Sequence, residues 1–487
     1  MEVKFGKWVP DLTLVQDPSA LSICTNVLPI DGKYLPAYGG QQFSEFPLTD
    51  TTPLILVTHR SDDGSIVGFT AGSDYIHKLA TTSLININKV GTVYSTGSNQ
   101  WDFDVYGNAV FFTNYADPIQ VKQDVSTSDR CVDLPGSPPK AKCLAMYKDH
   151  LFAGYTNDGS NVYPRRVRRS AKGNVEDWTI NTDTGAGYQD LASWGDSIVS
   201  LRPYGDYLLA YMTNSIWVIN DVGTPWWFSY EKLFEGPGPL SNHSVVPIFS
   251  GLHAYLASDD IYLLKELAPT PQGSGLRKEV INSIDLANAH RITHSVDYKN
   301  KLVKWAYPST NSDGTPDKIL VWNWENGLFS VVDLPTYCVG MVGNKTITIS
   351  NLDEWTINEL GFTSLDSSFW GGSGAGPGFI DRDKYISKFT GSALHGIIKT
   401  HELDLKTVNM FQSLRPQIYD LSGTMEVTVD TRLNTRETKK EQRSYLRSNG
   451  LVDLRTSGRY ASVRFDIYGD HQGITGFDVD VAEAGNR

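Results

Sequence analysis

The sequence predicts an all-β chain built around a β-propeller of seven or eight blades, with an N-terminal arm and a small C-terminal β-sandwich-like domain. Three observations carry this: a repeated phrase with a blade-sized period, a composition suited to short strands and tight turns, and alternating strands at the C-terminal end. The phrase is an aromatic or apolar residue, a Gly or Lys, an Asp or Asn, then an apolar strand. It reads Tyr106-Gly107-Asn108, Tyr147-Lys148-Asp149, Tyr204-Gly205-Asp206, Tyr298-Lys299-Asn300 and Val342-Gly343-Asn344. Looser copies are Asp63-Gly64-Ser65 and Ser250-Gly251-Leu252. Counted from the second residue of each phrase, the starts at 64, 107, 148, 205, 251, 299 and 343 are 43, 41, 57, 46, 48 and 44 residues apart. Units of roughly 40–50 residues made of short strands are the mark of propeller blades.

The 487 residues are 40% hydrophobic and 11% aromatic, with 43 glycines. That is enough apolar material for a large core, and the glycines suit turns that need positive φ. Residues 1–50, holding Trp8, Pro10, Pro29, Pro36, Gly39 and Gly40, read as an irregular arm. Such an arm cannot bury itself and must lie on the rest of the chain, a neighbouring subunit or a platform. Residues 51–400 carry the repeat, and residues 401–487 alternate with period two, as in Met425-Glu426-Val427-Thr428-Val429 and Ala461-Ser462-Val463-Arg464-Phe465. The charged stretch Thr435–Arg443 reads as either a short helix or a hairpin tip. Within the repeat, Met212-Thr213-Asn214 reads as a hairpin connection. Three Gly/Pro-rich insertions interrupt the period: 135–139, 234–239 and 371–378.

The formal net charge of -12 disfavours a protein that grips nucleic acid phosphates, but not one past which DNA slides. Cys24, Cys131, Cys143 and Cys338 form no C-x-x-C pair, so reduced buried thiols are expected; a Cys131–Cys143 bridge is the alternative. The N-terminus lacks a signal-peptide apolar run, and no stretch is apolar enough to span a bilayer. Synthesis in a cytoplasm is the expectation, with no membrane anchor and the Asn242 and Asn344 sequons unused.

The motifs of nucleotide binding, serine hydrolysis and zinc proteolysis are absent from the sequence. His290 and His294 are four apart, but the intervening residues look like strand, which holds them too far apart to chelate easily. The loop Asn311–Asp317 offers oxygen ligands without EF-hand spacing, and its ordinary reading is a polar turn. Neither a catalytic residue nor a cofactor or metal site is assigned. Trp226-Trp227 and Trp322-Asn323-Trp324 are either blade-packing aromatics or platforms for sugars. Arg165, Arg166, Arg168 and Arg169 form one basic cluster, able to touch phosphates or an acidic partner. On a strand its members face opposite ways and pair with local carboxylates such as Glu176 and Asp177.

Several phrases resemble the tail hub, or nozzle, proteins of short-tailed bacteriophages, including packaged-DNA stabilisation proteins. The most specific covers residues 165–209: the arginines, Gly173-Asn174-Val175-Glu176-Asp177-Trp178, Gly185-Ala186-Gly187-Tyr188 and Ile198 through Leu209. Gly251 through Tyr262, Trp305-Ala306-Tyr307-Pro308-Ser309, Ile319 through Trp324, Phe5 through Asp11, Ser457 through Tyr460 and Gly476-Phe477 support it. The resemblance implies a homo-hexameric ring below the portal-adaptor that lines the DNA ejection channel and helps retain the genome. It also implies docking of tail fibres, spikes or a needle, in the virion tail, with assembly in the host cytoplasm. Trp8, Pro10 and the four arginines are then candidate subunit or partner contacts. Two alternatives stay open: a glycan-binding or glycan-cleaving propeller, and a cellular protein-interaction propeller. The latter lacks the Gly-His and Trp-Asp signature of WD40 repeats.

Overall fold

A computed structural model describes residues 1–12, 17–60, 66–80, 83–97, 99–192, 195–343 and 375–483. The Asp63-Gly64-Ser65 phrase, the first half of the 371–378 run, and Asn344 lie outside the described residues. Among those described, the regular structure is almost wholly strand, with three short 3-10 helices at Asn242–Ser244, Ile281–Ser283 and Leu286–Arg291.

The repeat folds as successive four-stranded antiparallel meanders. The first sheet is Pro53–Arg60, Ile66–Gly72, Ile76–Ala80 and Ser83–Asn86; the second is Asp102–Tyr106, Ala109–Thr113, Gln120–Lys122 and Val132–Asp133. The third is Lys140–Tyr147, His150–Asn157, Val162–Arg169 and Gly187–Asp190; the fourth is Ile198–Tyr204, Tyr207–Met212, Ser215–Gly223 and Trp227–Glu235. The fifth is Val245–Phe249, Leu252–Leu256, Ile261–Lys265 and Ala268–Pro271. A further meander, Thr293–Asp297, Leu302–Tyr307, Lys318–Asn323 and Leu328–Asp333, forms the edge of a fourteen-stranded sheet. The sixth separate sheet is Thr336–Val342, Gly376–Asp381 and Ile386–Lys388, completed by Gln41–Gln42 from the arm.

From the second sheet onward, the first strand of each unit packs against the first strand of the next. The first and second sheets share one core, containing Phe69, Trp101 and Phe112. Thr336–Val342 packs back on Pro53–Arg60 and closes the ring. The architecture is a β-propeller. Closure is tight: a Cβ on Gly340 would stand 1.9 Å from the Leu56 carbonyl oxygen.

In the second through fifth sheets and the sixth meander, the repeated phrase is the hairpin between the first and second strand. Its turn residues have left-handed backbone at Gly107 (φ +57°), Lys148 (+48°), Asp149 (+65°) and Gly205 (+58°); beside Tyr298-Lys299-Asn300 it falls on the next residue, Lys301 (+59°). Two phrase tyrosines also join neighbours. Tyr147 Oη donates to the Asp206 carbonyl in the next hairpin, and Tyr204 Oη to the Gly251 carbonyl at 2.6 Å in the one after. The 57-residue spacing arises because the last two strands of the third sheet are joined by the long connection 170–186.

The arm is less irregular than its Pro and Gly content suggests. It carries five strands, all spent on its own chain: Glu2–Lys4, Leu21–Thr25, Val27–Ile30, Lys33–Pro36 and Gln41–Gln42. Leu21–Thr25 bridges the Leu328–Asp333 edge to Gly396–Thr400, while Glu2–Lys4 and Lys33–Pro36 pair with Ile474–Glu483. Hydrogen bonds to strands distant in sequence compensate for the missing local pattern. The C-terminal strands Leu403–Ile418, Thr424–Arg432, Lys440–Tyr445, Val452–Tyr468 and Ile474–Glu483 are antiparallel as expected. They do not stand apart as a small sandwich, because the arm and the sixth meander continue the same sheet. Phe5 sits among Phe465 (5.5 Å between rings) and Phe477 (6.1 Å) in their core. Residues 433–439 form the hairpin connection, not a helix.

Gly340→Ala is expected to lower stability by more than about 2 kcal/mol, since backbone cannot yield as a flexible side chain would. Gly107→Ala, whose added methyl meets nothing within 4 Å, is expected to cost only about 1 kcal/mol through its positive φ. Paired thermal unfolding curves check the contrast.

Candidate functional site

The inner strands converge on a polar cluster at the centre of the ring, beside a cavity of about 320 Å³. Asp102 opens the second sheet and is fully buried; Arg202 lies on the first strand of the fourth. Both guanidinium nitrogens reach the Asp102 carboxylate, at 3.2 and 3.3 Å. Asp102 also accepts the Leu144 amide of the third sheet (2.8 Å), and Arg202 donates to Asn242 Oδ1 (2.9 Å) ahead of the fifth. Asp104, next on the same face of its strand, accepts the Met146 amide (2.6 Å). Burial pushes its carboxyl up to about 6, against the pull of the Met146 and Val105 amides.

Two histidines extend the cluster. His243 Nε2 is 2.6 Å from the Trp101 carbonyl, so that nitrogen carries the proton. His294 Nδ1 likewise donates to the His243 carbonyl at 2.7 Å. Burial lowers both pKa values, that of His294 to about 3, so both rings are neutral at pH 7. The cluster thus joins the second through fifth sheets and the sixth meander. Asp102 and Arg202 pair with each other, while Asp104 and the two ring N–H groups are spent on backbone groups. His290 does not share a strand with His294: it lies in the Leu286–Arg291 3-10 helix.

The arginine cluster divides between faces, with a different carboxylate partner from that expected. Arg166 pairs with Asp190 through two bonds (2.7 and 2.8 Å), because the ladder sets the two residues opposite one another. Glu176 and Asp177 lie instead in the 170–186 connection. The Arg166 guanidinium is stacked between Tyr163 (3.6 Å) and Tyr188 (4.0 Å). Arg168 donates to the Trp178 carbonyl (2.9 Å), and Arg169 to the Gly185 carbonyl (2.7 Å) and Tyr230 Oη (3.0 Å). The Arg165 carbonyl accepts the Leu191 amide at 3.0 Å. Two of the four arginines therefore hold the long connection in place.

That connection is anchored at its middle by Trp178, 1% exposed. It is latched from the fourth sheet by Trp227 Nε1 donating to the Thr182 carbonyl (2.6 Å). Ile180 (60% exposed), Tyr188 and Trp226 (79%) are left on the surface of these segments. Trp322 is buried, and Trp324 packs beside Phe249 and Tyr298.

Trp8 is buried in its own chain and donates Nε1 to the Ser22 carbonyl (3.2 Å); Pro10 beside it is half-buried. The indole of Trp8 is thus spent within the protomer. All four cysteines are buried free thiols. In the 311–317 loop, Asp313 accepts the Thr315 amide and Asp317 accepts Ser309, so turn geometry uses these carboxylates. No cluster of three His, Cys, Asp or Glu suited to a metal occurs among the described residues. Among them, too, no helix is long and apolar enough to cross a membrane.

Removing one partner of the axial pair, as in Arg202→Met or Asp102→Asn, is expected to cost about 3–5 kcal/mol. Replacing both by apolar residues should cost less than either single change, which denaturant unfolding of all three variants reads. Asp104 adds a pH dependence. Its folded pKa of about 6 lies above the ordinary 3.8, so its contribution is full below about pH 4 and lost as pH rises through 6. Wild type should lose about 3 kcal/mol across that window relative to Asp104→Asn.

No protein-family model matches the chain, and no curated protein matches it. Among solved structures it is similar to YCF48 bound to D1 peptide, at 12% identity over 63% of this chain and 91% of that one, with a TM-score of 0.37. It is also similar to the Pan2 WD40 domain of Neurospora crassa, at 6% identity over 63% and 90%, TM-score 0.37. A catalytically inactive virginiamycin B lyase from Staphylococcus aureus with quinupristin is similar at 15% identity over 63% and 92%, TM-score 0.33. Likenesses at this level carry nothing about activity or partners.

Proposed function

We propose that this chain is a structural subunit of a short-tailed phage tail, a hub or nozzle protein whose role is mechanical and not catalytic. Six copies form a ring below the portal-adaptor, surround the DNA exit channel, retain the packaged genome and dock fibres, spikes or a needle on the outside. The protein then belongs to the virion tail and passes through the host cytoplasm during assembly. Counting the Thr293–Asp333 meander with the six separate sheets, the propeller has seven blades.

The observation that carries this reading is the fold of the phrase most like that family. Residues 163–200 hold the longest connection between third and fourth strands among the described sheets. Arg168, Arg169 and Trp227 pin it, and Ile180, Tyr188 and Trp226 remain exposed there. A rigid insertion on a stiff body is what a contact surface needs, because little ordering entropy is left to lose on docking. The charge balance supports the same reading. A ring of subunits each carrying -12 that turned acidic residues to its lumen would repel DNA and avoid the counterion release that traps it.

Light scattering of the chain mixed with its portal-adaptor ring tests the proposal. The expected result is a complex whose mass gain corresponds to six chains, even if the chain alone is a monomer. A chain that stays monomeric in the presence of the adaptor contradicts it.

A further inference from the structure

A second cavity, of about 830 Å³, lies where the sixth meander, the sixth separate sheet and the arm hairpin Val27–Ile30/Lys33–Pro36 meet. Its walls include Leu28, Ile30, Leu35, Ile319, Val321 and Phe389. The volume falls in the range of small-molecule sites, roughly 300–1,000 Å³.

One charged group in this apolar setting lacks the partner that burial ordinarily demands. Lys304 lies on Leu302–Tyr307, directly opposite Val321, and is only 5% exposed. Its Nζ stands 4.1 Å from the centre of the Phe389 ring, a cation–π contact. Among the described residues it has no hydrogen bond and no carboxylate within 4 Å. The Asp297 carboxylate is occupied by the Asn300 amide (3.1 Å) and Nδ2 (2.8 Å) and acts on the lysine only through its field. Burial brings the Lys304 ammonium down to about 8, which leaves it mostly charged at pH 7. A buried ammonium held by a single ring face carries an uncompensated desolvation cost. An anion entering the cleft offsets that cost, and the surrounding aliphatic walls bury whatever apolar body the anion bears. Lys33, Lys299 and Lys388 also line the cleft, against Asp31 and Asp297, so its charge balance is positive in an acidic protein.

We propose that this cleft binds an amphipathic organic anion, an apolar chain or ring system carrying one carboxylate, with the Lys304 ammonium as its counter-ion. The cleft shares Val296 and Tyr298 with the cavity beside the axial cluster, and its occupancy does not depend on the proposed role in a tail.

Isothermal titration of the purified full chain with decanoate tests it, with decanol and decyltrimethylammonium as the neutral and cationic comparators of the same chain length. The expected result is one decanoate per chain, bound at least tenfold more tightly than either comparator. Lys304→Met should abolish that preference, weakening decanoate at least tenfold while leaving decanol unchanged, and Lys304→Arg should restore it. Lys304→Met should melt no lower than wild type, since the change removes a buried charge. Should it fail to fold, Val321→Phe provides the second variant and should weaken decanoate and decanol together by filling the cleft. Decanoate that does not bind at millimolar concentration, that binds no better than decanol, or that binds Lys304→Met or Val321→Phe undiminished overturns the proposal.

Discussion

The Asp102–Arg202 pair is the contact on which the ring depends. Two charges withdrawn from water carry a desolvation penalty of several kcal/mol each, and only good geometry and further hydrogen bonds offset it. Here the Leu144 amide and Asn242 supply those bonds, so the pair is satisfied only when the second, third and fourth sheets and the segment before the fifth are all in place. His243 and His294 extend the same condition to the Trp101 carbonyl and the sixth meander. Apolar packing between sheets gives the larger free energy but tolerates sliding. A buried network that loses its satisfaction on any shift sets one arrangement.

That condition makes the propeller a stiff body, and three further devices tie its ends. The first is the close approach of Gly340 to Leu56, where the last sheet meets the first. The second is the strand Gln41–Gln42, which the arm contributes to the last sheet. The third is the fourteen-stranded sheet, which runs from the sixth meander through the arm into the C-terminal strands. The arm is thus a splice between the two ends of the chain, with Phe5 in the C-terminal core and Asp11 accepting the Lys278 and Glu279 amides. The features left over are surface ones: the pinned 170–186 connection and the cleft around Lys304.

Much of this was legible in the sequence wherever the signal was local. The Gly-Asp and Gly-Asn pairs announced the hairpins because the turn demands positive φ at the glycine, whereas in the Lys299-Asn300 pair it falls one residue later, on Lys301. The alternation in Met425–Val429 and Ala461–Phe465 announced strands because one side of each is buried. What was not legible was long-range. Nothing local tells Leu21–Thr25 that its partners lie at Gly396–Thr400 and Leu328–Asp333, and Pro and Gly around those strands read as irregular. The carboxylates near the arginine cluster in sequence, Glu176 and Asp177, are not the partner of Arg166, because Asp190 becomes its neighbour only through the ladder register. Arg202 and Asp102 gave one faint sign, a charge on an inner strand, and sequence alone does not say that two such charges meet across the ring.

The proposed role makes the chain a wall unit: a ring held rigid from its axis, spliced at its ends by the arm, and bearing one built-up outer surface. An electron-microscopic reconstruction of virion tails containing this chain tests that most directly. It should show six propeller-sized densities in a ring next to the adaptor, with their long third-sheet connections at contacts to a neighbour or an outer appendage. Tails in which the chain is missing, or in which it lies outside any ring as an isolated copy, would contradict it.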